Sequence, residues 1–315
     1  GTTATTIDRP PVVKVRAARG TCAPERDFFR LPARRAGNRK ILRLHNVPLS
    51  ALKMPADAPP QLIKAIAARL HAAGSAFPID EARMLINEAA DNKQLAEMIE
   101  RRSAGEPIQQ IVGWAMFAGK RVAIAPGVFV PRRRTELLFL QAAKYTERGD
   151  VVLDMCCGAG AISMALATVK RNIELHCTDI DPVAIECAEK NLEGTGAMTY
   201  VGDMFEPLPV VLRGRINVLV ANVPYVPPAK IEQMPAEARK YEARAALDGG
   251  ADGLDFQRKL VEETPGWIKR SGCVIFETSE SQAESSMELC REQELKPELV
   301  TDDELESHVV VAWRQ

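Results

Sequence analysis

The sequence predicts an α/β fold: a doubly wound sheet with helices on both faces, preceded by a small helical domain and a β-hairpin linker. Three observations carry that expectation. From Val151 onward, short apolar runs alternate with amphipathic stretches, as parallel strands and crossover helices do. Between Pro60 and Ser103 the apolar residues recur instead at helical spacing. Gly113, Gly119 and Gly127 punctuate the stretch that joins the two parts, as turns between strands would.

Composition agrees. The chain has 315 residues, of which 46% are hydrophobic and 26% charged, enough for one large domain and a small one. No apolar run approaches the roughly 20 residues of a membrane-spanning helix, so no membrane is expected as a partner. Seven cysteines form neither a C-x-x-C pair nor a Cys/His cluster, which argues against a disulfide framework or a metal site and for reduced thiols in a cytoplasmic protein. The net charge of −1 conceals an asymmetry. Residues 1–53 hold twelve Lys/Arg and three Asp/Glu, whereas the remainder holds 29 basic and 39 acidic residues. Nucleic acid is a poor partner for so acidic a body, because binding it needs clustered cations.

Taken in order, residues 1–59 read as a basic, irregular extension. Their Arg-rich, acid-poor start also suits an organelle (mitochondrial) transit segment over 1–55, and an opening Gly1 without Met suggests a trimmed start. Residues 60–106 form the helical domain, with helices expected over 61–70, 79–92 and 93–103. Residues 107–131 form the hairpin linker, with strands expected at 108–112 and 117–125. The large domain takes 132–315. Its strands are expected at 151–155, 173–179, 199–201, 216–221, 273–278 and 308–313, and its helices at 161–170, 182–193, 254–269 and 281–293.

Four candidate clusters fall at the carboxyl ends of expected parallel strands, where open α/β sheets bind ligands. In VVLDMCCGAG (151–160) a strand runs through Asp154 into a turn with Cys156, Cys157, Gly158, Ala159 and Gly160, and a helix follows. Glycines there admit a ligand to the backbone, and the helix start offers free N–H groups. LHCTD (175–179) ends in Asp179, nineteen residues past Gly160, where a carboxylate can accept both hydroxyls of an adenosine ribose. Asp181 is the better N-cap for the next helix, which leaves Asp179 for that role. Asp203, with Met204 and Phe205 as apolar cover, suits an adenine ring. Finally, Asn222, Val223, Pro224 and Tyr225 deliver an amide, a stiffened backbone and an aromatic ring to one strand end. That combination suits a clamp for a planar polar group. Arg132–Arg134 read as a solvated charge run, Glu242 and Arg244 as braces of a loop, and the four histidines as structural.

Together these residues resemble a class I S-adenosylmethionine-dependent methyltransferase, with its Rossmann-like sheet. More narrowly, residues 61–315 are similar to the HemK-type glutamine-N5 methyltransferases of peptide-chain release factors. The resemblance rests on QIVG (110–113), FVPR (129–132) with Thr135 and Glu136, NVPY (222–225), YEARAALDGGADGL (241–254) and Glu277. It implies S-adenosylmethionine as cofactor and S-adenosylhomocysteine as product. The cofactor site would comprise Asp154, Cys156–Gly160, Asp179, Ile180, Asp203, Met204 and Asn222. It further implies a helical substrate-recognition domain, no metal, and a release factor's Gly-Gly-Gln glutamine as acceptor, gripped by Asn222, Val223, Pro224 and Tyr225. Two departures stand out: Cys156 replaces the family's first motif glycine, and Val223 replaces the first proline of N-P-P-Y. They leave three alternatives open. These are a methyltransferase acting on a small metabolite, one acting on the N6 of adenine (which would need a basic base-flipping groove), and an inactive cofactor-binding paralogue.

Overall fold

The structure, a computed structural model, describes residues 59–315 except Pro235, together with Val13 and Lys14. The expectations for the basic extension and its transit reading therefore lie outside the described residues, apart from one short strand, β1 (Val13–Lys14). Three helices open the described body: α1 (Pro60–Ala72), α2 (Pro78–Glu88) and α3 (Asn92–Ser103). Each begins on a residue suited to a helix start. Pro60 and Pro78 stand where an N–H would be orphaned anyway, and Asp91 caps α3 by accepting from Gln94 N at 2.8 Å. Leu70, Ala82, Leu85 and Met98 meet between them as a separate small core.

The linker differs from expectation. Residues 108–112, expected as a strand, form a short helix, α4 (Ile108–Val112), closed by Gly113 in the left-handed region at φ +78. Pro107 starts it, and Ile108 and Ile111, three apart, both bury into the helical core. A strand would have sent them to opposite faces. Gly113 is followed by the hairpin β2 (Trp114–Phe117) and β3 (Lys120–Ala123), in antiparallel register with Phe117 opposite Lys120.

A 3-10 turn at Arg133–Thr135 leads into α5 (Glu136–Tyr145). Alternation then sets in: β4 (Val151–Met155), α6 (Ala161–Val169), β5 (Glu174–Asp179), α7 (Pro182–Asn191), β6 (Met198–Val201) and β7 (Ile216–Ala221). After the short helices α8 (Pro228–Ile231) and α9 (Ala236–Tyr241) come α10 (Asp255–Trp267), β8 (Ile268–Thr278), α11 (Ala283–Glu292), β9 (Leu295–Asp302) and β10 (Ser307–Arg314). The sheet order is β1-β9-β10-β8-β7-β4-β5-β6. Strands β4 to β8 run parallel, whereas β10 is antiparallel to both neighbours, so the sheet is mixed rather than wholly parallel.

Helices α5, α6 and α7 and the hairpin cover one face through Phe117, Leu138, Leu166 and Ile185. Helices α10 and α11 cover the other through Leu260, Val261, Met287 and Cys290. This double cover is why the central strands read as unbroken apolar runs. All five residues of β4 are buried, Asp154 among them. Chain order reverses between β4 and β7, which opens a crevice beyond their carboxyl ends.

Candidate active site

Strand β4 carries Asp154 to the edge of that crevice, 1% exposed. Its Oδ2 accepts from Ser163 N at 3.1 Å and Ser163 Oγ at 2.7 Å, both on the first turns of α6. Its Oδ1 is buried and has no partner among the described residues. Burial pushes this carboxyl up to about 7; the Ser163 bonds oppose the shift and the nearby Asp179 charge adds to it. Beyond β4 the chain turns sharply. Cys156, Gly158 and Gly160 all take positive φ, at +56, +54 and +72. Gly160 is also crowded, since a Cβ would stand 3.1 Å from that of Ala188, which would have to give by a few tenths of an ångström.

The second strand end joins the first directly. Asp179 Oδ2 accepts from Gly158 N at 2.8 Å and its Oδ1 from Asp181 N at 3.0 Å. Asp181 in turn caps α7 through Val183 N at 2.9 Å. Asp181 is thus the cap, as expected. Ile180 beside them is 63% exposed, an apolar surface left uncovered at the crevice rim. Asp203 behaves differently from a free carboxylate, because Lys259 of α10 pairs with it at 2.5 Å. Met204, also at positive φ, sends its Sδ to 3.8 Å from Cys156 Sγ. Its neighbour Phe205 turns into the core and stacks on Trp267 rather than covering the crevice.

At the fourth strand end, register places Ala221 opposite Met155, so Asn222 emerges beside the turn that starts at Cys156. Asn222 Nδ2 donates to Thr135 Oγ1 at 3.3 Å. No hydrogen bond from the described residues ends on Asn222 Oδ1 or on the Val223 carbonyl. Val223 is 1% exposed and belongs to the same buried cluster as Met155, Met204 and Phe276. Valine therefore anchors the loop by burial where proline would anchor it by ring closure. Tyr225 donates its hydroxyl to Glu277 Oε1 at 2.6 Å. Burial first, and the Glu277 charge second, push that phenol well above its ordinary range and keep it a donor.

The loop 241–254 explains itself against this clamp. Gly249 N donates to Val226 O at 3.0 Å, and Val226 N to Leu247 O at 3.0 Å, so the segment runs alongside the clamp backbone. A Cβ at Gly249 would meet Tyr225 Cα at 2.7 Å and Pro224 O at 2.9 Å. The glycine is there because the two backbones touch. Gln282 finishes the support, donating to Tyr225 O at 3.1 Å and Asp252 O at 3.0 Å.

Two expectations about charge resolve in opposite ways. Glu242 is a brace, as expected: it is buried and pairs with Arg132. The arginine run is only in part a solvated face: Arg133 and Arg134 are exposed, yet Arg132 holds Glu242 and Arg134 Nε donates to Glu277 Oε1 at 2.9 Å. Glu277, 1% exposed at the end of β8, also accepts from Thr135 Oγ1 at 2.8 Å. Thr135, Tyr225 and Glu277 were each legible as motif residues, but their meeting at one centre was not, because the bonds join residues 142 and 52 apart in the chain.

A model of the methyltransferase small domain matches residues 120–252, which hold the second hairpin strand β3, the turn and the clamp. The release factor glutamine methyltransferase of Geobacter sulfurreducens is 37% identical over 190 residues, 60% of this chain and 66% of that protein, just under two thirds. That of Bacillus cereus is 33% identical over 207 residues, 64% of this chain and 73% of that protein. The chain belongs to the release factor glutamine methyltransferase family. A methyltransferase from Pyrococcus furiosus of known structure aligns with a TM-score of 0.48 and 17% identity over 70% of this chain and 98% of its own.

The residues present fit this family's donor, S-adenosylmethionine. An unpartnered carboxylate oxygen on Asp154 and a carboxylate on Asp179 suit its cationic and ribosyl parts. In the left-handed turn between them, Cys156 and Gly158 are half-buried. Cys156 takes a left-handed φ of +56, at a cost of about 1–2 kcal/mol for a residue with a Cβ.

Proposed function

We propose that this protein is an S-adenosylmethionine-dependent methyltransferase that methylates the N5 side-chain nitrogen of glutamine, with a peptide-chain release factor as its protein substrate. The observation that carries the proposal is the clamp. Asn222 Oδ1 and the Val223 carbonyl are two acceptors with no hydrogen bond from the described residues, at adjoining positions and next to the Asp154–Gly160 turn. Family membership supports the same acceptor. We further propose that residues 60–106 recognise the substrate, that 132–315 form the catalytic domain, and that Asp154, Cys156–Gly160, Asp179, Ile180, Asp203, Met204 and Asn222 hold the cofactor.

A carboxamide nitrogen is a poor nucleophile because its lone pair is delocalised into the carbonyl. S-adenosylmethionine supplies an electrophilic methyl group on a sulfonium when bound. What the chain must add is orientation. Asn222 Oδ1 accepts one N–H hydrogen of the substrate amide and the Val223 carbonyl the other, which directs the lone pair along the line of attack. These oxygens also stabilise the positive charge that the nitrogen gains as the new bond forms. Tyr225, fixed by Glu277, forms a wall against the amide plane. No general base is needed before transfer, because the methylated amide cation is strongly acidic and loses its proton to water.

Replacement of Asn222 by alanine tests the assignment. Turnover on a release factor is expected to fall by at least about a hundredfold, the loss typical of one charge-stabilising contact. Cofactor affinity by calorimetry should stay within a few-fold. Surviving turnover would show that another group grips the amide.

A further inference from the structure

We infer that Glu277 and Thr135 are positioning residues that fix which end of the Asn222 amide faces the substrate. The inference rests on the glutamine-clamp reading above. An asparagine amide presents either oxygen or NH2 after a half-turn about its terminal bond, and the two ends have nearly the same shape. Only the oxygen can accept a substrate N–H; the reversed amide would set donor against donor. The clamp therefore needs something that tells the two ends apart, and backbone geometry alone cannot.

The chain of bonds behind Asn222 makes that distinction. Glu277 is 1% exposed and carries three donors: Arg134 Nε at 2.9 Å, Tyr225 hydroxyl at 2.6 Å and Thr135 hydroxyl at 2.8 Å. A carboxylate only accepts, so Thr135 must spend its one hydrogen on Glu277. Its oxygen then has lone pairs alone to offer Asn222. The side chain that meets it at 3.3 Å must therefore present Nδ2, which turns Oδ1 away from Thr135 and leaves it to accept. Polarity passes from a buried carboxylate through one hydroxyl to one amide. Thr135 is held in place for this by its own burial (4% exposed) and by the 3-10 turn that Arg132 O closes on Thr135 N at 3.0 Å.

Two substitutions separate polarity from packing. Thr135→Val keeps the shape and removes the hydroxyl, so both amide orientations become accessible. Glu277→Gln lets the Thr135 hydroxyl accept from a new NH2 and donate to Asn222, which favours the reversed amide. Each should lower kcat on release factor by roughly tenfold to a hundredfold, the scale of a misplaced reacting group, while the Kd for S-adenosylhomocysteine holds. Thr135→Ser, which restores the hydroxyl, should recover most of the Thr135→Val loss. A Thr135→Val kcat within about twofold of wild type would overturn the inference. So would a loss that tracks weakened cofactor binding and that serine does not rescue. Nitrogen NMR of the Asn222 side chain in the acceptor-free protein reads the same relay directly: its NH2 signals should shift in both variants, and unchanged signals would refute the relay. If wild-type enzyme fails to methylate the release factor, the function proposal fails, and the NMR result alone decides this one.

Discussion

Replacing Asp154 with asparagine should flatten the pH dependence of this protein's stability. The carboxyl is buried, one oxygen has no partner among the described residues, and burial raises its pKa to about 7 from 3.8. The sign follows from where the protons are. Between the unfolded value and the folded one, the native state holds a proton that the unfolded chain has released. This group therefore contributes stability at low pH that is lost as pH rises through 7. From pH 5 to pH 8 the loss spans roughly two pH units, or about 3 kcal/mol. For a body of this size that corresponds to roughly 5–10 °C in Tm. Asparagine cannot titrate, so the variant should lose none of it, although its new NH2 lowers stability by a constant amount at every pH. Thermal melts of both ligand-free proteins at pH 5, 6, 7 and 8 give the comparison. The Tm difference, variant minus wild type, should climb by that margin across the series. A difference independent of pH would refute the claim that burial raises the Asp154 carboxyl's pKa.

Other expectations follow from the crowding and conformation of the site. Gly249→Ala should place a methyl 2.7 Å from Tyr225 Cα and displace the clamp. We expect about 1–3 kcal/mol lost in urea denaturation, the usual penalty for overpacking, and kcat reduced more than cofactor affinity. Cys156→Gly relieves a left-handed cysteine but loses its sulfur contact with Met204 and frees the unfolded chain, so stability should change by no more than about 1 kcal/mol and turnover persist. Cys156→Val, β-branched at the same φ, should be clearly less stable in the same assay.

Much of this architecture was written in local pattern. Buried runs such as 151–155 and 216–221 could be read as central strands because both faces are covered, and Asp181 could be told from Asp179 by its place before Pro182. Where reading failed, tertiary context had overruled the local signal. Residues 108–112 look like a β-rich run, yet Pro107 and the inward spacing of Ile108 and Ile111 make them helical. Strand β9 went unpredicted because Pro297 and its charges, tolerable beside an edge, mask its periodicity. In the site, residues lying next to strand ends were legible, whereas Lys259 at Asp203 and Thr135 at Glu277 were not. Their bonds span 56 and 142 residues, and no spacing rule reaches that far. The glycines of 249–253 were visible as a motif, but their reason, contact with the clamp backbone, needed the fold.

The central claim is that this crevice methylates a glutamine amide on a release factor. Intact and peptide mass spectrometry of a release factor incubated with the enzyme and S-adenosylmethionine tests it most directly. The account predicts a gain of one methyl group on the glutamine of the Gly-Gly-Gln loop, dependent on Asn222. An unmodified glutamine under multiple-turnover conditions, with methyl transfer to some other acceptor, would contradict it.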